Sequence, residues 1–249
     1  MSLAVNYAKA AAASAWMATV GGRGEFSELL EKTAFVVPGD LDPAVCQALV
    51  DRMEACIADP AHPRIWRDGV GSDTRVMGFE QDIGELVRHF DIPGRIRAID
   101  EYMGRRTRSW FLMGNRVVPK PDNKGSGGGL HRDSPFSHQV KCIWYLTDVT
   151  TSTGPFQFAP HSHRDLLRRR RTVPLGQTRF ETYDQEVVEV HASAGSLLVC
   201  DTKCVHGGKP IEDGTRYAVT LYTLPTRQGA GDIFRKTGID PTLAYVSNA

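Results

Sequence analysis

The chain has 249 residues, of which 41% are hydrophobic and 24% charged, so its composition is that of a folded domain rather than a disordered or fibrous protein. The formal net charge of +1 provides no overall attraction to nucleic acid, and no stretch approaches the roughly 18 apolar residues of a membrane span. A chain of this length buries enough surface to fold without a disulfide or a structural metal.

The five cysteines are odd in number and form no dense pattern, which is typical of reduced thiols. We therefore expect a cytoplasmic protein. The N-terminal stretch "AKAAAASAWMATV" has a short, alanine-rich apolar part, and the only positive charge ahead of it is Lys9. This composition favours a helical or loosely ordered arm over a signal peptide.

The first half of the chain is predicted to be mostly helical. "TAFVV" (33–37) has the composition of a short strand, which Pro38 and Gly39 end. A helix follows, with Asp42 as its cap and Pro43 in its first turn. Apolar residues at helical spacing predict its buried face. They are Cys46, Leu49, Val50, Met53 and Ile57.

Prolines and glycines predict a loop over residues 58–76. Two more helices are predicted at "GELVRHF" (84–90) and "IRAIDEYM" (96–103). After Arg108 the sequence changes to short segments that are rich in β-branched and aromatic residues and are bounded by turn formers. These predicted strands are 110–118, 139–147, 155–159, 186–190, 196–201 and 216–224.

Six strands at this spacing predict a barrel or sandwich with antiparallel pairing. The expected fold is therefore mainly β with flanking helices. We see no internal repeat and no linker, so residues 1–249 are predicted to form one domain. Its expected parts are an N-terminal arm (1–24), a mostly helical region (25–108), a β-rich core (109–224) and a C-terminal tail (225–249).

The stretch "GGGLHRDSPF" (127–136) contains a candidate metal site. His131 and Asp133 are two residues apart, so on an extended strand they point to the same face, and Arg132 points to the other. A neutral imidazole and a carboxylate can bind a divalent metal, but they can also form a buried hydrogen-bonded pair. Non-haem iron enzymes add a second histidine to such a pair and leave three positions open.

His206 is the best candidate for this third ligand. It follows the apolar strand 195–201 and precedes Gly207 and Gly208, where the backbone can turn sharply. The other histidines fit less well, because they lie upstream, in loops or too close to the first pair in sequence. They are His62, His89, His138, His161, His163 and His191.

Arg216 begins the next strand and adds a second kind of signal. An iron enzyme that uses 2-oxoglutarate must hold the far carboxylate of that cosubstrate, and arginine binds carboxylates bidentately. We expect the strand beside Arg216 to bear His206, which would bring both side chains to one pocket. The alternative is a surface salt bridge of Arg216 to Glu212 or Asp213.

The run "GGGLHRDS…HQVKCIWYLTDVTTSTGPFQFAPHSHR…GSLLVCDTKCVHGG…GTRYAVTLY" resembles the phytanoyl-CoA dioxygenase family of iron(II)- and 2-oxoglutarate-dependent oxygenases. The opening "FVVPGDLDPAVCQALVDRM" is similar to the usual start of that family. The resemblance covers most of residues 33–224. It implies a double-stranded β-helix, the jelly roll of cupin-like proteins, with the metal at the open end of the barrel.

The resemblance also implies roles for individual residues. His131, Asp133 and His206 would be the catalytic iron ligands, and Arg216 would hold the C5 carboxylate of 2-oxoglutarate. The strand before the metal pair often contributes a further cosubstrate contact. The best candidate is Asn115, followed by Lys120, and Lys141 is a second-tier contact to cosubstrate or substrate.

Two features of the sequence depart from the family pattern or offer another metal chemistry. His161 replaces the usual glycine of a Gly-Ser-His turn, which would place another imidazole near the pocket rim. Cys200 and Cys204 lie close to His206, but they lack the paired partners of a zinc site and are interpreted as small buried residues. Halogenating relatives have a small residue at the position of Asp133, so the carboxylate here favours hydroxylation or another oxidative C–H reaction.

The expected reaction hydroxylates or oxidatively cyclises a small molecule, with dioxygen consumed and succinate and CO₂ released. Sequence similarity to compact bacterial members suggests a sugar-containing natural product or other secondary metabolite as the substrate. Basic or aromatic side chains could contact it, although the aromatic ones also suit core packing. They are Arg132, Arg164, Arg168–Arg171, Trp66, Trp144 and Tyr145.

Two other functions stay open. The chain could be a non-catalytic jelly-roll protein that binds a small molecule, or a cupin-type metal-dependent hydrolase or isomerase. Arg216 discriminates among these functions, because neither alternative requires it. The sequence contains no signal for an oligomeric state, and no nucleic-acid or membrane partner is expected.

Overall fold

Two antiparallel β-sheets form the framework of the protein. The computed structural model describes residues 12, 15, 19–133, 139–163 and 178–244. The larger sheet of the described chain has seven strands. In spatial order they are β1 (Ala34–Val37), β10 (Leu197–Asp201), β6 (Val140–Tyr145), β12 (Arg216–Leu224), β4 (Ser109–Val117), β3 (Asp73–Met77) and β2 (Ile65–Arg67).

The smaller sheet has five short strands in the described residues. In spatial order they are β8 (Thr178–Arg179), β5 (His131–Arg132), β11 (Val205–Gly208), β7 (Phe156–Phe158) and β9 (Val188–Val190). Apolar side chains between the sheets form a shared core, in which Tyr145 of β6 packs with Phe156 and Phe158 of β7. The predicted fold class, mainly β with flanking helices, is confirmed.

The helices of the described chain are mostly in its first half, as predicted. The α-helices are α1 (Leu29–Lys32), α2 (Pro43–Ala58), α3 (Ile92–Met103) and α4 (Gly229–Lys236). The 3₁₀ helices are Phe79–Gln81, Gly84–Phe90 and Pro241–Leu243. None of the helices in this part of the chain is both long and apolar enough to cross a bilayer.

The larger sheet has one apolar face and one face that mixes apolar and polar side chains, because successive side chains of a strand point to opposite sides. On β6, Val140, Cys142 and Trp144 face a hydrophobic core, whereas Lys141 and Tyr145 face the space between the sheets. The core side also holds the predicted apolar face of α2. Its fully buried members are Cys46, Leu49, Met53 and Ile57.

Several local predictions are corrected by the structure. Residues 58–76 are not only loop, since β2 lies within them and β3 begins there, and both strands extend the larger sheet beyond β4. Both strands are short, and the surrounding prolines and glycines hide their pattern. Residues 84–90 form a 3₁₀ helix rather than an α-helix, and Asp42 makes no side-chain capping bond to α2.

Helix boundaries also differ from the prediction. Helix α3 begins at Ile92, earlier than expected, because Pro93 is tolerated in a first turn and the Asp91 carboxylate accepts a hydrogen bond from the Gly94 amide. The predicted tail contains α4, whose Phe234 packs edge-on against Phe111 with ring centroids 5.3 Å apart. Most of the predicted arm lies outside the described residues, and the single-domain organisation stays a prediction.

The buried face of α2 generates a stability prediction. Leu49 is fully buried, whereas Leu30 of α1 is 40% exposed. We expect Leu49→Ala to lower the free energy of unfolding by about 2–5 kcal/mol, because it leaves a cavity in the core. Leu30→Ala should change it by about 0.5 kcal/mol at most. Denaturant titration of both variants measures the difference, and equal losses would contradict the packing described.

Candidate metal centre

A cavity of about 840 Å³ lies between the inner faces of the two sheets. This volume falls within the range of small-molecule sites in proteins. The larger sheet contributes alternate residues of its strands to the wall, as pleating requires. On β12 these residues are Arg216, Ala218, Thr220, Tyr222 and Leu224. The smaller sheet contributes His131 and His206, so the predicted metal ligands face Arg216 across the same space.

The structure brings His131, Asp133 and His206 together. In the antiparallel pairing of β5 with β11, His131 and His206 are direct partners, and their rings are 4.4 Å apart. The Oδ1 atom of Asp133 lies 3.7 Å from Nε2 of His131. One possible ligand atom from each side chain lies within 4.8 Å of the other two, so one divalent ion could bind all three.

Backbone hydrogen bonds orient both imidazole rings. Nδ1 of His131 lies 2.9 Å from the Gly129 carbonyl, and Nδ1 of His206 lies 3.0 Å from the Cys204 carbonyl. A carbonyl only accepts, so each Nδ1 carries the proton and each Nε2 presents a lone pair. Nε2 of His206 is buried and has no hydrogen-bond partner. This arrangement is typical of metal-binding histidines, whose second nitrogen donates to a backbone acceptor.

Burial and neighbouring charges together set the protonation states of the three side chains that metal binding requires. Burial lowers the pKa of His131 below its usual value, and burial together with the neighbouring His131 lowers that of His206 to about 3. Burial alone would raise the pKa of Asp133, but Lys141 and the two histidines outweigh it and lower that pKa. Two neutral imidazoles and one carboxylate are the ligand forms that iron(II) binds.

Hydrogen bonds hold the three glycines before His131 in place. Nη1 of Arg179 donates to the carbonyls of Gly127 and Gly128 at 2.6 and 2.8 Å. Gly127 has a φ of 87°, and a Cβ atom there would lie only 2.8 Å from Cε1 of His131. Glycine at this position therefore leaves room for the ring of a candidate ligand.

Arg216 lies in the cavity wall, but not where the sequence analysis expected it. Its strand pairs with β4 and β6, whereas His206 lies in the other sheet, so the expectation that their strands are neighbours is wrong. Arg216 is 5% exposed, and burial lowers its pKa. In the described chain no carboxylate lies within 4.0 Å of its guanidinium, and its Nε is buried without a partner. The alternative salt bridge to Glu212 or Asp213 is thus not formed.

The three predicted secondary contacts to cosubstrate lie in different places relative to the cavity. Asn115 is buried in the cavity wall, but its amide donates to Asp73 at 2.6 Å. Lys120 is exposed and lies outside the wall. Lys141 points into the cavity, with Nζ 4.0 Å from Asp133 and 5.4 Å from the ring centroid of Tyr222. Burial disfavours the charged amine, yet Tyr222 and Asp133 raise the pKa of Lys141 above its usual value.

The sequence analysis missed a polar group that surrounds Asp73. Its carboxylate accepts from Asn115, from Arg75 at 2.7 and 3.1 Å, and from the Ser126 hydroxyl at 3.0 Å. The guanidinium of Arg75 also stacks 4.6 Å from the ring centroid of Trp66. Asp73 and Arg75 lie in the segment predicted as loop. Recognition of β3 and its alternation would have been the signal that they face inward.

The remaining predictions concern the surroundings of the site. Arg132 points away from the metal candidates, as predicted, and donates to the Ser162 carbonyl. It is buried and does not line the cavity, so the structure does not place it where it could contact substrate there. Cys200 and Cys204 are buried free thiols, as predicted. His161 is exposed and does not line the cavity, so its predicted place at the rim is wrong.

Of the three candidate aromatic contacts, Trp66 and Tyr145 line the cavity, whereas Trp144 is in the core. The indole N–H of Trp144 donates to Asp40 at 2.7 Å. Arg164, Arg168–Arg171 and His138 lie outside the described residues.

A second cluster, Cys56, His62 and Asp82, has ligand atoms equally close together. Nδ1 of His62 accepts from the Arg64 amide at 3.3 Å, which leaves Nε2 to donate to Asp82. The Arg64 guanidinium also contacts Asp82 at 2.6 Å, and burial raises the pKa of Cys56 to about 11. A cation inside the cluster and a protonated thiol favour a hydrogen-bonded structural group over a metal site.

Comparison with solved structures identifies the fold. HygX from Streptomyces hygroscopicus, solved with nickel and 2-oxoglutarate bound, aligns with a TM-score of 0.57 at 16% identity, over 82% of this chain and 87% of HygX. The carbocyclase SnoK from nogalamycin biosynthesis aligns with a TM-score of 0.56 at 19% identity, over 79% and 81%. The epimerase SnoN, in complex with Fe³⁺, alpha ketoglutarate and nogalamycin RO, gives 0.57 at 18%, over 87% and 85%.

These similarities define the class of protein: a double-stranded β-helix of the cupin-like type, as predicted. A search of curated proteins finds no match. The family model of phytanoyl-CoA dioxygenase (PhyH) matches residues 34–216, and the chain belongs to this family. It is therefore a 2-oxoglutarate-dependent non-haem iron dioxygenase, and the predicted family, activity class and cofactors are confirmed.

The glycine beside His131 generates a prediction for metal binding. In Gly127→Ala the new Cβ would displace the His131 ring, and such changes around ligands typically weaken metal binding about 10- to 100-fold. Gly39→Ala is a matched control, because Gly39 also has a positive φ, of 68°, but lies outside the cavity wall and its Cβ would meet nothing within 4 Å. Anaerobic Fe(II) titration measures both affinities. Equal affinities of the two variants would rule out the steric role of Gly127.

Proposed function

We propose that His131, Asp133 and His206 bind the catalytic Fe(II) through the two Nε2 atoms and the carboxylate. The observation that carries this proposal is the buried, unpartnered Nε2 of His206 beside the other two ligand atoms. The three ligands approach from one side, on β5, the residue after it and β11. Such a facial arrangement leaves coordination positions open toward the cavity for cosubstrate and dioxygen.

Arg216 is proposed to hold the far carboxylate of 2-oxoglutarate. A buried guanidinium without a carboxylate partner is costly, and a dianionic cosubstrate would supply that partner. Tyr145 lies close enough to act electrostatically on Arg216, which favours its charged form. The Asn115 amide is already bonded to Asp73, so we propose that Asn115 positions this wall, with Lys141 as the contact nearer the metal.

When bound, Fe(II) and 2-oxoglutarate would activate dioxygen and release succinate and CO₂. The chain itself supplies neutral imidazoles, an ionised Asp133 and the wall of the cavity. Apolar side chains, among them Met113, Ile143, Phe156 and Ala218, limit water around the reacting groups. Because Asp133 occupies the position that halogenating relatives keep open, we propose hydroxylation or oxidative ring closure of a small molecule.

The substrate class proposed is a natural product, with sugar-containing compounds as the first candidates. HygX has been solved with hygromycin B bound, and SnoN with nogalamycin RO, which supports this choice by fold similarity. The cavity volume of about 840 Å³ is compatible with a molecule of that size. A binding protein or a cupin-type hydrolase would need no buried arginine opposite the metal ligands, and Arg216 therefore argues against both alternatives.

Formation of the iron–cosubstrate chelate tests the metal ligands. We expect a weak visible charge-transfer band when Fe(II) and 2-oxoglutarate are added to the protein without oxygen. His206→Ala should abolish the band because one ligand is lost. His161→Ala should retain it, since His161 is exposed and outside the cavity. A wild-type protein without the band, or an unchanged band in His206→Ala, would exclude the proposed centre.

A separate titration tests Arg216. In Arg216→Ala we expect Fe(II) affinity to persist while 2-oxoglutarate affinity falls at least about 30-fold, because removing one partner of a buried charge pair costs roughly 2 kcal/mol or more. Arg116→Ala is the matched control, since Arg116 of β4 points away from the cavity and pairs with Glu54. Normal 2-oxoglutarate affinity in Arg216→Ala would show that another residue binds the carboxylate.

A further inference from the structure

The inward-facing residues of β6 follow one another along the cavity, so their order shows which groups lie near Arg216 and which lie at the other end. Tyr145 is at the end near Arg216, and Lys141 lies beside Asp133. Gln139 continues the same alternation one step beyond Lys141, on the side away from Arg216. Its backbone extends the sheet, because Gln139 and Thr202 exchange hydrogen bonds. With 2-oxoglutarate held between the metal and Arg216, the space at Gln139 is left for substrate.

The side-chain oxygen of Gln139 has no hydrogen-bond partner in the part of the chain that the structure describes. The residue is 6% exposed and lines the cavity, and its Oε1 is buried without a hydrogen bond. A buried carboxamide oxygen without a partner destabilises a folded protein, because it has lost its hydrogen bonds to water. A substrate hydroxyl that donates to this oxygen would remove the cost, and it would lie next to the metal centre.

Arg105 lines the same end of the cavity. The segment that follows Arg105 passes beside Leu224, since the Arg108 amide donates to the Leu224 carbonyl at 2.8 Å. Leu224 ends β12 at the Gln139 side of the barrel. Arg105 is only partly exposed, and burial lowers its pKa, although Asp100 and Asp201 oppose that effect. No carboxylate of the described chain lies within 4.0 Å of its guanidinium, so this cation is available to an anionic ligand.

We propose that Gln139 and Arg105 form the substrate subsite of this enzyme, an inference that rests on the proposed function. The substrate then carries hydroxyl groups together with a carboxylate or phosphate. Gln139 accepts from a hydroxyl near the carbon to be oxidised, and Arg105 binds the anionic group farther out. The ring of Tyr222 and the side chains of Leu224 and Ile233 complete the wall at this end. Ile233 belongs to α4, so this helix helps to determine which substrates fit the cavity.

Four sugar probes of one ring size test this subsite. Protein loaded with Fe(II) and 2-oxoglutarate without oxygen is titrated calorimetrically with D-glucuronate, D-glucose 6-phosphate, D-glucose and D-glucosamine. We expect at least one of the two anionic probes to bind about tenfold or more tightly than D-glucose, and D-glucosamine to bind most weakly. Which anionic probe binds best distinguishes a carboxylate from a phosphate.

Variants assign the effect to individual side chains. Arg105→Met should remove the preference for anions, whereas Gln139→Leu should weaken all hydroxylated probes alike. Arg106→Met is the matched control, because Arg106 is exposed and outside the cavity. A preference for D-glucosamine, an unchanged preference in Arg105→Met, or no binding of any probe to protein that forms the chelate band overturns the subsite. Absence of the band itself would instead refute the proposed metal centre.

Discussion

The candidate site depends on one register, the antiparallel pairing of β11 with β5 that sets His206 opposite His131. A slip of one residue would turn His206 to the other side of the sheet. Bonds from outside the pair fix the register, since the Val205 amide donates to the Ser162 hydroxyl and the Ala159 amide donates to the Val205 carbonyl. The segment around Ser162 thus positions a metal-ligand candidate without touching it.

The larger sheet forms the wall opposite the two histidines, and its two faces carry different kinds of side chain. Its outer face is apolar and packs against helices, so burial on that side stabilises the sheet while the inner face carries the polar groups of the site. Asp73 then joins the parts of that inner face. It binds Arg75 and Asn115 within the sheet, and Ser126 in the loop that leads to the glycines before His131. One carboxylate therefore couples the cosubstrate wall to the metal loop.

The grouping of His131, Asp133 and His206, and the presence of Arg216 in the same cavity, could be predicted from sequence because metal and carboxylate binding restrict residue type strongly. Which strands are neighbours could not, and this is why His206 was expected beside Arg216 rather than opposite it. Asp73 and Arg75 were missed because β3 is short and is surrounded by turn formers. Asn115 was expected to contact the cosubstrate, but its amide donates to the carboxylate of Asp73 instead. That contact was missed because Asp73 lies in the segment predicted as a loop.

Charge balance explains why the outer end of the cavity would favour an anion. Fe(II) and the 2-oxoglutarate dianion neutralise each other, so loading leaves the net charge of the surrounding side chains unchanged. Asp73 and Arg75 also cancel, as do Asp133 and Lys141, which lie 4.0 Å apart. The other charged side chains of the wall balance in number, with Asp68, Asp122 and Asp232 against Lys124, Arg179 and Lys236. Arg216 then leaves one positive charge at the inner end. Arg105 adds another at the outer end, which Asp100 and Asp201 offset in part. In a cavity of low polarizability such an excess is costly until an anion enters, and the open position for it is beside Arg105 and Gln139.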